Sequence, residues 1–273
     1  MAEHRNPDDL AALFPQAASE PIDPVAMARR DLKKALPKRF YREARAEPVE
    51  GGFALTLDGK PAKTPARQDL VLPTLAAAEA LAAEWNAQED IIDPSAMPLT
   101  RLANSAIDGV RAALMETVEE IARYGGSDLV CYRAEGPDSL VAAQAAAWDP
   151  VLAFAREKLG ARFLCAEGVV FVTQPEEAEA ALLKAVQFWA NDKANAPFAV
   201  AALHVMTSLM GSALMALGVA HGLLRPEEAW ASAHVDEDFQ MRVWGRDEEA
   251  LERRTRRWRD MEAAARLFQS VQS

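Results

Sequence analysis

This chain of 273 residues has only two cysteines, Cys131 and Cys165, with no CxxC pair and no Cys/His cluster. That scarcity excludes a disulfide framework and a structural zinc signature, suits a reducing compartment, and leaves two thiols expected as buried apolar residues. Basic charge is short as well. The net charge is -11, and residues 73–224 carry 9 basic against 19 acidic side chains. An acidic middle repels phosphate backbones, and no lysine or arginine stripe interleaved with aromatics offsets it, which argues against nucleic-acid binding. Catalytic signatures are missing too: no GxGxxG opens a helix after a strand, and there is no GxxxxGK(S/T), GxSxG or HExxH. No catalytic residue, cofactor or metal site is assigned. Residues 1–9 hold acids and no apolar stretch, so they read as neither a secretory signal nor an acid-poor transit peptide.

Half of the residues are hydrophobic, ample for a sizeable core. Residues 198–224 lack any Asp, Glu, Lys or Arg and are long enough to cross a bilayer. His204, Ser208 and Ser212, at four-residue steps beside Thr207 and Gly211, instead make one small or polar seam on a buried helix. No stable membrane insertion is expected, and His204 reads as a hydrogen-bonded core histidine.

The texture of the chain changes twice. Residues 1–36, broken by Pro7, Pro15, Pro21 and Pro24, suggest a loosely held arm with a helical turn over 25–36. Residues 37–96 hold short apolar runs at 39–46, 53–57, 62–64 and 70–72, a meander in which Asp58-Gly59 is the clearest hairpin turn, followed by an Ala-rich helix over 75–88 capped by Thr74. Residues 97–273 are dominated by helical periodicity, with helices expected over 99–109, 111–124, 138–159, 176–192, 197–223, 226–243 and 248–270. Residues 162–166 and 169–173 flank Glu167-Gly168 as a second small hairpin or an extended link. The fold class is α+β, mainly α: a small antiparallel β-rich N-terminal domain followed by a larger helical C-terminal domain.

The densest functional candidate is residues 234–245, where Asp236, Glu237 and Asp238 sit against Phe239 and precede Trp244. On one helix Val235, Phe239 and Val243 make an apolar stripe, and the three carboxylates fan over roughly 200° beside it. Acids held next to a buried face suit docking to a polypeptide better than bond-making chemistry. His234 and Asp238 are four apart and share a helical face, yet a metal needs a further ligand, and His221 lies across a helix break.

Five runs together resemble a known family: residues 57–65 (LDGKPAKTP), 97–108 (MPLTRLANSAID), 126–133 (GSDLVCYR), 144–150 (QAAAWDP) and 236–245 (DEDFQMRVWG). They are similar to the ATP-twelve-type assembly chaperones, which bind the free α subunit of the F-type ATP synthase catalytic head before it joins β subunits. The resemblance covers about residues 39–269. It implies a β-rich N-terminal and a helical C-terminal domain, no cofactor, no catalysis, and an acidic residue in the Asp236 to Gln240 stretch needed for action. Glu237 is carried over for that role, with Asp236, Asp238, Phe239 and Trp244 beside it as client-binding residues. The organellar members have a targeting leader and this chain does not, which implies a bacterial-type cytoplasmic protein, or a mitochondrial matrix protein if the chain is a processed form. Two other readings stay open: a metal- or carboxylate-dependent hydrolase using His234, Asp236, Glu237 and Asp238, and a membrane-peripheral scaffold built on residues 198–224. Oligomeric state is left unassigned.

Overall fold

The computed structural model describes residues 36–168 and 170–273. The expected arm before Leu36 and Val169 of the second extended run lie outside the described residues. Contacts divide the chain into two units, one ending at Ala112 and one spanning Ala113–Gln272.

In the first unit, strands β1 (Ala44–Val49) and β2 (Gly52–Leu57) form an antiparallel hairpin, and β2 also pairs with β3 (Lys60–Pro61) and β4 (Val71–Leu72). The expected Asp58-Gly59 turn closes β2 onto β3: Leu57 faces Lys60, and both turn residues have positive φ, 50° and 77°. That is the backbone of a two-residue hairpin loop matching the strand twist. Asp58 also reaches back, accepting hydrogen bonds from the amides of Arg42 and Glu43 at 3.0 Å, and these amides hold its carboxyl below the usual range. Helix α1 (Leu75–Asn86) is capped by Thr74, whose hydroxyl accepts from the Ala77 amide, and it buries Ala77, Ala78, Leu81 and Trp85. At its end the Asn86 carboxamide bonds both backbone groups of Ala44 at 2.8 Å, doing for the start of β1 what a neighbouring strand would do.

Helix α2 (Pro98–Ser105) runs into a π-turn, Ala106–Val110. Its amino-terminal amides, which have no partner within the helix, are satisfied by Glu84 of α1, which accepts from Leu99, Thr100 and the Thr100 hydroxyl at 2.6 to 2.9 Å. Two of the motif runs meet here. Asp108 accepts from the Thr64 hydroxyl at 2.6 Å and the Ala66 amide at 3.1 Å, tying the meander to the helix that follows it.

The second unit holds α3 (Leu114–Arg123), α4 (Asp138–Phe154, with Pro150 inside), α5 (Glu176–Phe188), α6 (Ala196–Met210), α7 (Ala213–Ala220), α8 (Pro226–Ala233), α9 (Val235–Trp244) and α10 (Glu248–Gln272). Helix α6 is central: α3, α7 and α10 all pack on it, and Phe198, Val200, Leu203 and Met206 are fully enclosed. Among the described residues no helix is long and apolar enough to cross a membrane.

Several sequence expectations are corrected here. The single helix over 197–223 is two, because Gly211 turns left-handed (φ 68°) and Ser212 caps α7 by accepting from the Met215 amide. The buried Asp128 carboxylate supports that second start, accepting from the Leu214 amide at 3.1 Å and the Val130 amide at 3.3 Å; burial pushes it up to about 6. His204 is not a core residue: its side chain is 31% exposed, and Nε2 lies 3.4 Å from a Glu120 carboxylate oxygen without hydrogen-bond geometry. Of the two readings for residues 162–173, the hairpin does not form among the described residues, which leaves the link. Ala166–Glu167 (β6) pairs in parallel with Tyr132–Arg133 (β5), and Cys165 and Cys131 are the residues that immediately precede these two strands. Only Cys131 is buried, and Cys165 is exposed.

Candidate functional site

The expected helix over 226–243 breaks at His234, which ends α8 and begins α9 with φ -115° and ψ 20°. The break decides where every candidate side chain goes. His234 turns inward: Nδ1 donates to the Trp230 carbonyl at 2.7 Å, the ring packs on the Trp230 indole, and only 4% of the residue is exposed. Burial holds its pKa below the ordinary 6.5, with the Arg254 charge adding to the effect and the Trp230 bond opposing it. A neutral ring protonated on Nδ1 presents only a lone pair at Nε2, so it cannot donate to Glu237, whose carboxylate lies 3.9 Å away.

The three carboxylates then have three different fates. Asp236 accepts from the Gln144 carboxamide of α4 at 2.7 Å, and the other end of that buried amide accepts from the Ala134 backbone at 2.8 Å. Asp238 makes a two-pronged ion pair with Arg254 of α10. Glu237 points out, with 61% of its side chain exposed. Thus the first and third acids fasten the helix to α4 and α10, and the middle one is presented.

The expected apolar stripe does not form a core. No residue of α9 is buried: Val235 and Phe239 are half-buried, Val243 is 55% exposed and Trp244 is 86% exposed. The physical reason is the break at His234, which ends the packing of α8 and leaves α9 to be held at a few points instead of along a face. Open grooves flank it, one of about 740 Å³ bordered by Val235, Met241, Arg242 and Arg246, the other of about 410 Å³ bordered by Glu237, Met241, Trp244 and Arg257.

Sequence reasoning missed the seat of this helix. Gln144 and Trp148 lie one turn apart on α4; Gln144 holds Asp236, and the Trp148 indole donates to the Ser232 carbonyl of α8 at 2.8 Å. Arg133 reinforces the seat by pairing with Asp149 at 2.8 Å and stacking over Trp148. The signal was visible as a lone glutamine in an alanine-rich helix, since a polar side chain among small apolar ones needs a specific partner.

Crystal structures of the Atp12 protein of Paracoccus denitrificans and of a point mutant of it match this chain at a TM-score of 0.79 and 38% identity, over 86% of this chain and 98% of theirs. The chain belongs to the ATP12 chaperone family. The family match, described as ATP12 chaperone protein, covers residues 38–156, and the Atu1473 protein of Agrobacterium tumefaciens agrees over 96% of this chain and 94% of its own at 46% identity with a TM-score of 0.83. Membership accounts for the shared α+β, mainly α, fold. The residues of α9 lie beyond the stretch covered by the family match, whereas Gln144 and Trp148 on which α9 rests lie inside it. Among the described residues no group of three or more His, Cys, Asp or Glu side chains is placed to hold a metal ion. The His234 and acidic residues of the hydrolase reading are not convergent: His234 and Asp236 face the interior partners just described, Asp238 faces Arg254, and Glu237 faces outward.

Proposed function

We propose that this chain is an assembly chaperone of the F-type ATP synthase that holds the free α subunit and hands it on to β subunits. The observation that carries the reading is α9, a helix pinned by Asp236 and Asp238 while Glu237, Val243 and Trp244 stand exposed on it. An exposed indole and an unpaired carboxylate on a preorganised element fit a polypeptide-docking surface, where aromatic anchors supply area and charges supply orientation and encounter rate. A subunit taken from an alternating ring exposes an obligate, apolar interface that aggregates if left bare. Release needs no nucleotide chemistry on the chaperone, because displacement by the correct neighbour works by mass action.

The test is light scattering of diluted, denatured α subunit in the presence of the purified chain. Wild-type chain suppresses aggregation stoichiometrically, and Glu237→Ala and Trp244→Ala suppress it at least about tenfold less efficiently at unchanged melting temperature. Failure of the wild-type chain to protect the α subunit refutes the reading, and full protection by both variants removes α9 from it.

A further inference from the structure

The larger groove beside α9 differs in character from the smaller one. Its floor is small and apolar, made by Ala143 and Ala147 of α4, Val235 and Met241 of α9, and Leu251 of α10. Its charged lining consists of the internally neutral Asp238–Arg254 pair together with Arg242 and Arg246. Neither of these last two arginines forms an ion pair with a described residue, and both are exposed. The Arg242 guanidinium lies 5.6 Å from the centre of the Phe239 ring, which limits its freedom. In a chain of net charge -11 this groove therefore carries two uncompensated cations above an apolar floor. The smaller groove, on the Glu237 side, mixes both signs of charge, with Glu237 and Asp247 set among Arg253, Arg254 and Arg257, and is rimmed by Trp244.

Resting on the chaperone reading, we infer that the groove between α4, α9 and the start of α10 receives an acidic amphipathic helical segment of the client, whose apolar side chains cover the Ala143–Leu251 floor and whose carboxylates meet Arg242 and Arg246. Charge complementarity selects the occupant. Arginine presents a planar fork that matches a carboxylate in two parallel hydrogen bonds, and an amphipathic helix seats its apolar stripe in such a groove through side chains one turn apart. A basic segment placed there would set like charges together above a low-dielectric floor.

The probes are three 18-residue amphipathic peptides with a common leucine stripe and flanks of Glu, Gln or Lys, titrated with the full chain by fluorescence anisotropy. The wild-type chain binds the Glu peptide at least about tenfold tighter than the Gln peptide, and the preference shrinks as salt rises from about 0.05 to 0.5 M. In Arg242→Ser/Arg246→Ser the preference falls to within about twofold with an unaltered circular dichroism spectrum, and Arg242→Glu/Arg246→Glu turns it toward the Lys peptide. Equal binding of Glu and Gln peptides, binding of none of them, or a preference that survives in the double serine variant overturns the inference. The α-subunit scattering assay is run on the same preparations. Protection of the α subunit by wild-type chain without peptide discrimination removes the groove and leaves the chaperone reading, and discrimination without protection removes the chaperone reading and leaves the groove as an acidic-peptide site.

Discussion

Replacing Asp128 by alanine tests how the second unit holds its central helices. The side chain is completely buried, and its carboxylate accepts from the amides of Leu214 and Val130 at 3.1 and 3.3 Å, with the Ser212 hydroxyl and the Ala213 amide also turned toward it. Asp128→Ala leaves the buried amides of Leu214, Val130 and Ala213 without that acceptor, at roughly 2 kcal/mol each and about 6 kcal/mol together. One opposing effect reduces the loss. Burial raises the carboxyl from 3.8 to about 6, so at pH 7 the ionised side chain carries a penalty of about 3 kcal/mol relative to its protonated form. The net loss expected at pH 7 is about 3 kcal/mol, a fall in melting temperature of roughly 6–12 °C for a unit of this size. The pH dependence has a definite sign. The folded-state pKa lies above the unfolded one, so between about 6 and 3.8 the native state binds more protons, and stability falls as pH rises through that window. The gap between wild type and Asp128→Ala therefore widens on going from pH 7 to pH 5. Urea unfolding followed by far-ultraviolet circular dichroism at both pH values measures it. A gap below about 1 kcal/mol at pH 7, or one that narrows at pH 5, refutes the reasoning.

Other outcomes follow from the same geometry. Gly59→Val costs on the order of 1 kcal/mol, from positive φ alone, because nothing lies within 4 Å of the added Cβ, whereas Gly52→Ala costs several times as much, because its Cβ would sit 2.2 Å from the Leu72 carbonyl oxygen; urea midpoints of the two variants give the order. Gln144→Ala withdraws the partner of Asp236 and the acceptor for the Ala134 amide, and should destabilise the chain by about 2 kcal/mol while hydrogen exchange in α9 rises more than in α6. His234 has a lowered folded-state pKa, so its contribution to stability is complete above the ordinary 6.5 and declines as pH falls below it; His234→Phe should flatten that part of the pH–stability profile. A thiol reagent added to the native chain labels Cys165 and spares Cys131, whose thiol is buried and pushed up by that burial; equal labelling rates contradict the burial of Cys131.

The sequence alone determined what depends on neighbours along the chain. Asp58-Gly59 prescribes its own turn because both residues tolerate positive φ, Thr74 announces α1 because its hydroxyl reaches an amide three residues on, and the periodicity after residue 97 requires helices. The acidic run at Asp236, Glu237 and Asp238 was equally conspicuous as composition. What each of its members does was decided only by tertiary structure, since the partners of Asp236 and Asp238 lie 92 and 16 residues away, at Gln144 and Arg254. The breaks at Gly211 and His234 were likewise concealed, because an apolar or amphipathic pattern continues through both, and the capping groups that make a new helix start favourable come partly from Asp128, 86 residues upstream of Leu214. Local propensity sets which conformations are cheap for a segment; burial and the need to satisfy every enclosed donor choose among them, and those conditions exist only once distant residues have met.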